Sequence, residues 1–249
     1  MTDTTNTFVV LGGTGTIGGA LVRKLSAAGA NVVVGVRDTA KAAALAEQTS
    51  CDVYQVEAEV PESIETCITA AAEKYHSISG VANCIGSVLL KPAHLTSDAE
   101  WQHTITTNLT ASFALVRAAV KQMRQSGGSI VLCSSAAARV GLANHEAIAA
   151  AKAGIIGLTL SAAATYAKRG VRVNCVAPGL VKSEMTRKLW ETTEAAAVSS
   201  QMHPLGRLGQ GEDVAMAIAW LLDPANTWVT GQTIGIDGGL GSVLTRGKI

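Results

Sequence analysis

The run Phe8-Val9-Val10-Leu11-Gly12-Gly13-Thr14-Gly15-Thr16-Ile17-Gly18 passes from a short β-branched stretch into a glycine turn and then into a helical signal. Ile17, Leu21 and Leu25 follow at four-residue spacing, which makes one apolar helical face, and Gly29 is placed to cap its end. Glycine suits such a turn because the backbone takes unusual dihedrals, must approach a ligand closely and must let the helix pack tightly on the strand. Free N–H groups and the positive end of the helix dipole then attract an anion. A strand before the G-x-G-x-x-G pattern and a helix after it form the context of a dinucleotide pyrophosphate site, with Gly12, Thr14, Gly15, Thr16, Ile17 and Gly18 around the phosphates.

Outward from this unit, strand-like runs recur at 31–36, 51–56, 79–84, 129–134, 171–176 and 232–236, separated by Ala-rich helical stretches. The runs are apolar continuously rather than alternately, as in a parallel sheet covered on both faces. Pro61 suits the first position of a helix, and 149–170 reads as a small-residue helix ended by Gly170. The expected architecture is α/β: one doubly wound Rossmann domain over 1–249, a seven-stranded parallel sheet flanked by helices, with 1–6 as a flexible tail.

Forty-eight per cent hydrophobic and 16% charged residues in 249 exclude intrinsic disorder, and a net charge of +1 argues against a nucleic-acid partner. No stretch of about 20 residues is apolar throughout, so no membrane span is expected. The opening MTDTTNTF lacks a basic segment followed by an apolar run, which points to a cytoplasmic protein. Five scattered cysteines without CxxC or Cys/His spacing read as reduced thiols, with no metal site. At the end of the second strand stand Arg37 and Asp38. The arginine fork matches a 2′-phosphate and favours NADP(H); the acid, which would hold ribose hydroxyls, keeps NAD(H) as the alternative unless it caps the next helix.

From about Thr7 to about Leu244 the chain resembles the short-chain dehydrogenase/reductase family. Besides the glycine turn, Asn83-Cys84-Ile85-Gly86 is similar to the family's Asn-Asn-Ala-Gly element, and Thr107-Asn108-Leu109 to the helix segment carrying its structural and proton-relay asparagine. Ser134-Ser135 resembles the catalytic serine segment, and Pro178-Gly179-Leu180-Val181-Lys182-Ser183 the loop that holds nicotinamide. His203-Pro204-Leu205-Gly206-Arg207, Thr230-Gly231-Gln232 and Asp237-Gly238-Gly239 complete the pattern. The resemblance implies cofactor contacts at Glu59, Val60, Asn83, Ile85, Gly86, Lys152, Pro178, Gly179, Val181 and Ser183, a substrate lid over 183–205, and assembly as a homotetramer or homodimer.

Two positions depart mildly: Thr16 replaces a glycine of the turn, and Glu59 stands where an aspartate is usual. One departs seriously. Lys152 of the family's Tyr-x-x-x-Lys pair is present, but the tyrosine position is Ile148. The resemblance implies carbonyl reduction or alcohol oxidation of a small to medium substrate, with Ser135, Lys152 and Asn108 in the site and His145, three residues before Ile148, as a surrogate acid. A non-catalytic NADP(H)-binding sensor, regulator or inactive subunit is the alternative, as is other chemistry at the same site, such as dehydration or isomerisation.

Overall fold

The computed structural model describes residues 5–244. Seven parallel strands form one sheet in the order β3-β2-β1-β4-β5-β6-β7: β1 (Thr7–Leu11), β2 (Asn31–Val36), β3 (Asp52–Gln55), β4 (Gly80–Asn83), β5 (Gly128–Cys133), β6 (Val171–Pro178) and β7 (Thr233–Ile236). Phe8 pairs with Val32 on one side and with Gly80 on the other, so the strand order reverses at β1. That reversal opens a crevice beyond the carboxyl ends of β1 and β4, where open α/β sheets bind ligands.

The continuous apolar runs have their cause in two cores. Val9 and Leu11 of β1 lie with Ile64 of α3 (Pro61–Tyr75), Leu115 of α5 (Ala111–Gln122) and Ile155 of α6 (Glu146–Tyr166). Phe8 and Val10 point to the opposite face, with Leu21 of α1 (Thr16–Ala27), Leu45 of α2 (Ala43–Thr49) and Ile218 of α8 (Gly211–Leu222). Each such side chain, fully buried, contributes about 1.5–3 kcal/mol relative to exposure.

Some expected boundaries are corrected. α6 begins at Glu146 rather than 149, which puts Ile148 and Lys152 together in its first two turns. By length and composition alone α6 is apolar enough to cross a bilayer, which the sequence reading did not anticipate; in the fold its inner face, including Ala151, Ile155 and Thr159, is buried. Between β4 and β5 the helical stretch is divided into α4 (Asp98–Ile105), a π-helical turn (Thr106–Thr110) and α5. Asn6, assigned to the tail, is tied down: its carbonyl accepts from Asn31 N–H at 2.9 Å and its Oδ1 from Ser79 Oγ at 3.1 Å. Residues 1–4 of that tail lie outside the described residues.

Candidate active site

At the crevice, Gly12 opens the turn with φ +78°, and a Cβ there would stand 2.9 Å from the Cys84 carbonyl. Only glycine fits between β1 and the segment after β4. Gly12 N–H donates to Gly35 O at 2.7 Å and Gly15 N–H to Gly12 O at 3.0 Å, and Thr14, Gly15 and Thr16 are left exposed. Gly18 packs directly on Gly12 O. The N-cap Gly15 supplies no capping side chain and the first turn of α1 holds no acid. Its orphan N–H groups and dipole are therefore unneutralised from within the chain, an arrangement that fits a dinucleotide phosphate.

Arg37 and Asp38 follow β2 and are exposed. Asp38 Oδ1 accepts from Ala40 N–H at 3.1 Å and Lys41 N–H at 3.4 Å, capping the short turn that leads into α2. Arg37 has no ion pair among the described residues. Glu59 turns toward α4 and the π turn: His103 Nδ1 lies 2.6 Å from Glu59 Oε1, and Thr107 Oγ1 donates to the same oxygen at 3.4 Å. Val60, exposed, starts α3.

The π turn explains how the floor of the site is held. Asn108 is buried there, and its Nδ2 donates to Thr104 O and to Ser87 Oγ, each at 2.9 Å, while its Oδ1 accepts from Ser87 N–H at 3.2 Å. Ser112 Oγ donates to Asn108 O at 2.7 Å and accepts from Asn83 Nδ2 at 3.0 Å. Asn83 Oδ1 in turn accepts from Ile85 N–H at 3.1 Å. Both Asn108 amide protons are thus spent, one on Ser87 of the loop after β4 and one on the Thr104 carbonyl of α4. Gly86 sits in the grip of that loop: a Cβ on it would lie 3.2 Å from Asn108 Oδ1 and 3.3 Å from Lys152 Nζ.

Lys152 is only 7% exposed, and its Nζ donates to Cys133 O at 2.9 Å. It has no carboxylate partner among the described residues, so two of its three N–H donors remain for a ligand in the crevice. Ser134 Oγ donates to Lys152 O at 2.8 Å, which ties α6 to the end of β5. Ser135 Oγ accepts from Ala137 N–H at 3.1 Å, leaving its hydroxyl hydrogen to donate. Burial pushes the thiols of Cys84 and Cys133 up, so both stay protonated beside Lys152.

Ile148 is 3% exposed and stands one helical turn before Lys152, outside both core clusters. His145 is the N-cap residue of α6 and not within the helix, so the helical-face argument for a surrogate acid is corrected. Its Nδ1 lies 2.7 Å from Ala143 O, and Glu146 Oε1 accepts from Ala93 N–H at 3.4 Å. The Tyr75 hydroxyl donates to Asp52 on β3 at 2.7 Å, while Tyr54 and Tyr166 pack on the core.

β6 ends at Pro178 and the loop behind it is clamped: Gly179 N–H donates to Ile236 O at 3.1 Å, Gly209 N–H to Leu180 O at 2.9 Å and Lys182 N–H to Gly209 O at 3.0 Å. Val181 is buried, and Ser183 Oγ lies 3.0 Å from Thr186 Oγ1. Beyond it, α7 (Thr193–Gln201) buries none of its residues. The sequence reading missed the π turn, which has no composition signal, and the part played by His203, whose bonds join segments distant in sequence.

A seven-stranded doubly wound sheet with this turn defines a dinucleotide-binding α/β protein. Residues 13–241 match the family model described as enoyl-(acyl carrier protein) reductase. The chain is 36% identical over 246 residues to the 3-oxoacyl-[acyl-carrier-protein] reductase FabG of Rickettsia conorii, covering 95% of this chain and 97% of that protein. It is 34% identical over 245 residues to 3beta-hydroxysteroid dehydrogenase 1 of Eggerthella lenta, covering 94% and 93%. Among solved structures, ElxO with NADP bound superposes with a TM-score of 0.90 at 27% identity, over 96% of this chain and all of that one. The chain belongs to the short-chain dehydrogenase/reductase family of oxidoreductases.

Proposed function

We propose that the protein is an NADP(H)-dependent cytoplasmic oxidoreductase, a single domain that reduces a small to medium carbonyl compound, or oxidises the alcohol, without a catalytic tyrosine. The observation that carries this reading is the buried ammonium of Lys152, held on the Cys133 carbonyl at the end of β5 with two donors unspent, together with the Ser135 hydroxyl two residues further along the chain, whose hydrogen is also left to donate. ElxO, so similar in fold, has NADP bound, and Arg37, without an ion pair among the described residues, supports the phosphorylated cofactor here. The turn at Gly12–Gly18, Asn83, Ile85, Gly86, Lys152 and the loop Pro178–Ser183 would hold the dinucleotide, which supplies a hydride when bound. Segment 183–205, with Trp190 and Met202, closes over the substrate.

Ser135 and Lys152 face the oxygen that gains negative charge as the carbonyl carbon is reduced, and donors aimed there stabilise the transition state. Nothing at Ile148 delivers a proton, so water protonates the product. Acceptors whose reduced oxygen is a weak base, such as quinones and diketones, should therefore outrun isolated ketones. The test is oxidation of NADPH, and of NADH for comparison, by purified protein with quinones, diketones, aldehydes and oxoacyl thioesters, with Ser135→Ala alongside. NADPH-preferring turnover that falls by about 100-fold or more in Ser135→Ala is expected. Tight NADPH binding without turnover of any acceptor overturns the enzyme reading in favour of a non-catalytic sensor or subunit, the second reading, which the buried Ile148 favours.

A further inference from the structure

His203 is 4% exposed and both its ring nitrogens are engaged. Leu180 N–H donates to Nε2 at 3.1 Å, and Nδ1 lies 2.8 Å from Ser199 O in the last turn of α7. A backbone N–H can only donate and a carbonyl can only accept, so the ring is the neutral tautomer with its hydrogen on Nδ1. Ser199 O is one of the carbonyls that a helix end leaves without an internal partner, and His203 N–H goes instead to Ser200 O at 3.0 Å. The fit on the other side is tight: a Cβ on Gly179 would stand 2.7 Å from Nε2.

We infer that His203 is a positioning residue, a neutral imidazole clasp that joins α7 to the loop after β6, so that binding of the dinucleotide at that loop and seating of α7 are one event. The inference rests on the reading of Pro178–Ser183 as a cofactor loop. α7 buries no residue of its own, so its place depends on bonds at its ends. Ser199 carries two of them, because its Oγ also donates to Leu189 O at 2.8 Å. The ring sits at the wall of a cavity of about 500 Å³, shared with Gly179, Leu180, Arg207, Asp213 and Asp237. The charged groups facing it are compensated. Arg207 donates to both oxygens of Asp213 at 2.7 and 2.8 Å, and Asp237 accepts from Gly239 and Gly241 N–H at 2.9 and 3.1 Å.

A second proton on the ring would convert Nε2 from acceptor to donor and set it against Leu180 N–H. A doubly protonated ring therefore cannot form the clasp. The experiment compares the wild type with His203→Phe, which keeps bulk and loses both bonds, and His203→Gln, whose side-chain oxygen can accept from Leu180 N–H and does not titrate. Three readouts serve: hydrogen exchange at the Leu180 amide, tryptic cleavage at Lys182, Arg187 and Lys188, and NADP⁺ affinity across the acid range. In the wild type, Leu180 protection and NADP⁺ affinity should fall together on acidification. His203→Phe should bind NADP⁺ about tenfold more weakly, lose Leu180 protection and be cut faster. His203→Gln should recover most of the affinity with a flat pH response. Equal protection, cleavage and pH response in wild type and His203→Phe overturn the clasp; if His203→Phe does not fold, a His203→Gln response as steep as the wild type's does so. A wild type that binds no NADP⁺ defeats the cofactor reading, while exchange and cleavage without cofactor still decide the clasp.

Discussion

Ile148 and Lys152 are four residues apart on α6, so their side chains leave the helix on one face, one turn apart. A phenol at 148 would be drawn toward ionisation by the lysine charge and would become an acid of useful strength. Ile148→Tyr should accordingly raise turnover of an isolated ketone by about 10²- to 10⁴-fold and leave a quinone nearly unchanged. The added bulk at a buried position should cost about 1–3 kcal/mol, visible as a lower Tm. Steady-state rates on a matched ketone and quinone check this. No gain on the ketone, in a variant that still binds NADPH, would mean that the pocket over Ile148 is shaped for a different substrate orientation. At this scale the sequence was legible at Gly12, where the positive φ and the approach of the Cys84 carbonyl require the residue that the turn pattern names. It was misleading at His145, because the start of α6 decides whether the ring shares a helical face with position 148, and helix starts are set by local capping and loop geometry.

Among the elements, strand number, parallel pairing and domain type could be read from the apolar runs, because a strand covered on both faces takes mainly apolar side chains, the few polar ones, such as Asn83, being hydrogen-bonded. The π turn at Thr106–Thr110 could not be read, since a widened turn depends on hydrogen-bond partners around Asn108: Thr104 O and Ser87 Oγ as acceptors and Ser112 Oγ as a donor. Asn108 consequently reads from structure as the pin of the loop after β4. The loop can be tested at Gly86, where an added methyl would stand 3.2 Å from Asn108 Oδ1 and 3.3 Å from Lys152 Nζ. Both contacts are tighter than ordinary packing, and the flexible lysine gives way more easily than the pinned asparagine. Gly86→Ala should therefore displace the ammonium and weaken NADPH binding about tenfold, with a stability loss of only about 1 kcal/mol. Calorimetric titration and a thermal melt separate the two effects. Unchanged affinity with a large fall in Tm would place the strain on Asn108 instead.

Taken whole, the molecule presents two apolar faces that no other described residues of the chain cover. On α6, Ala150, Ala153, Gly157 and Leu160 are exposed at helical spacing, Leu160 by 55%, and a Cβ on Gly157 would meet nothing within 4 Å. Phe113 of the adjoining α5 is also exposed, with the Arg117 guanidinium 5.8 Å from its ring centre. Small residues flanked by large apolar ones let a second helix pair approach to about 8–10 Å. The other face carries Met216 and Trp220 of α8 together with Trp228, which is 97% exposed. Two separate faces, each closing on its own copy across a two-fold axis, build a tetramer of dihedral symmetry, whereas one alone builds a dimer. With each face closed on a copy of itself, as we propose, Leu160→Glu would place like charges against each other across the first axis and should halve the mass measured by sedimentation equilibrium. Trp220→Glu should do the same across the second, and the double variant should sediment as a monomer with its sheet intact by circular dichroism. A monomeric wild type would overturn both interfaces at once. A wild-type dimer broken by only one of the substitutions would assign the assembly to that face and leave the other to a different partner.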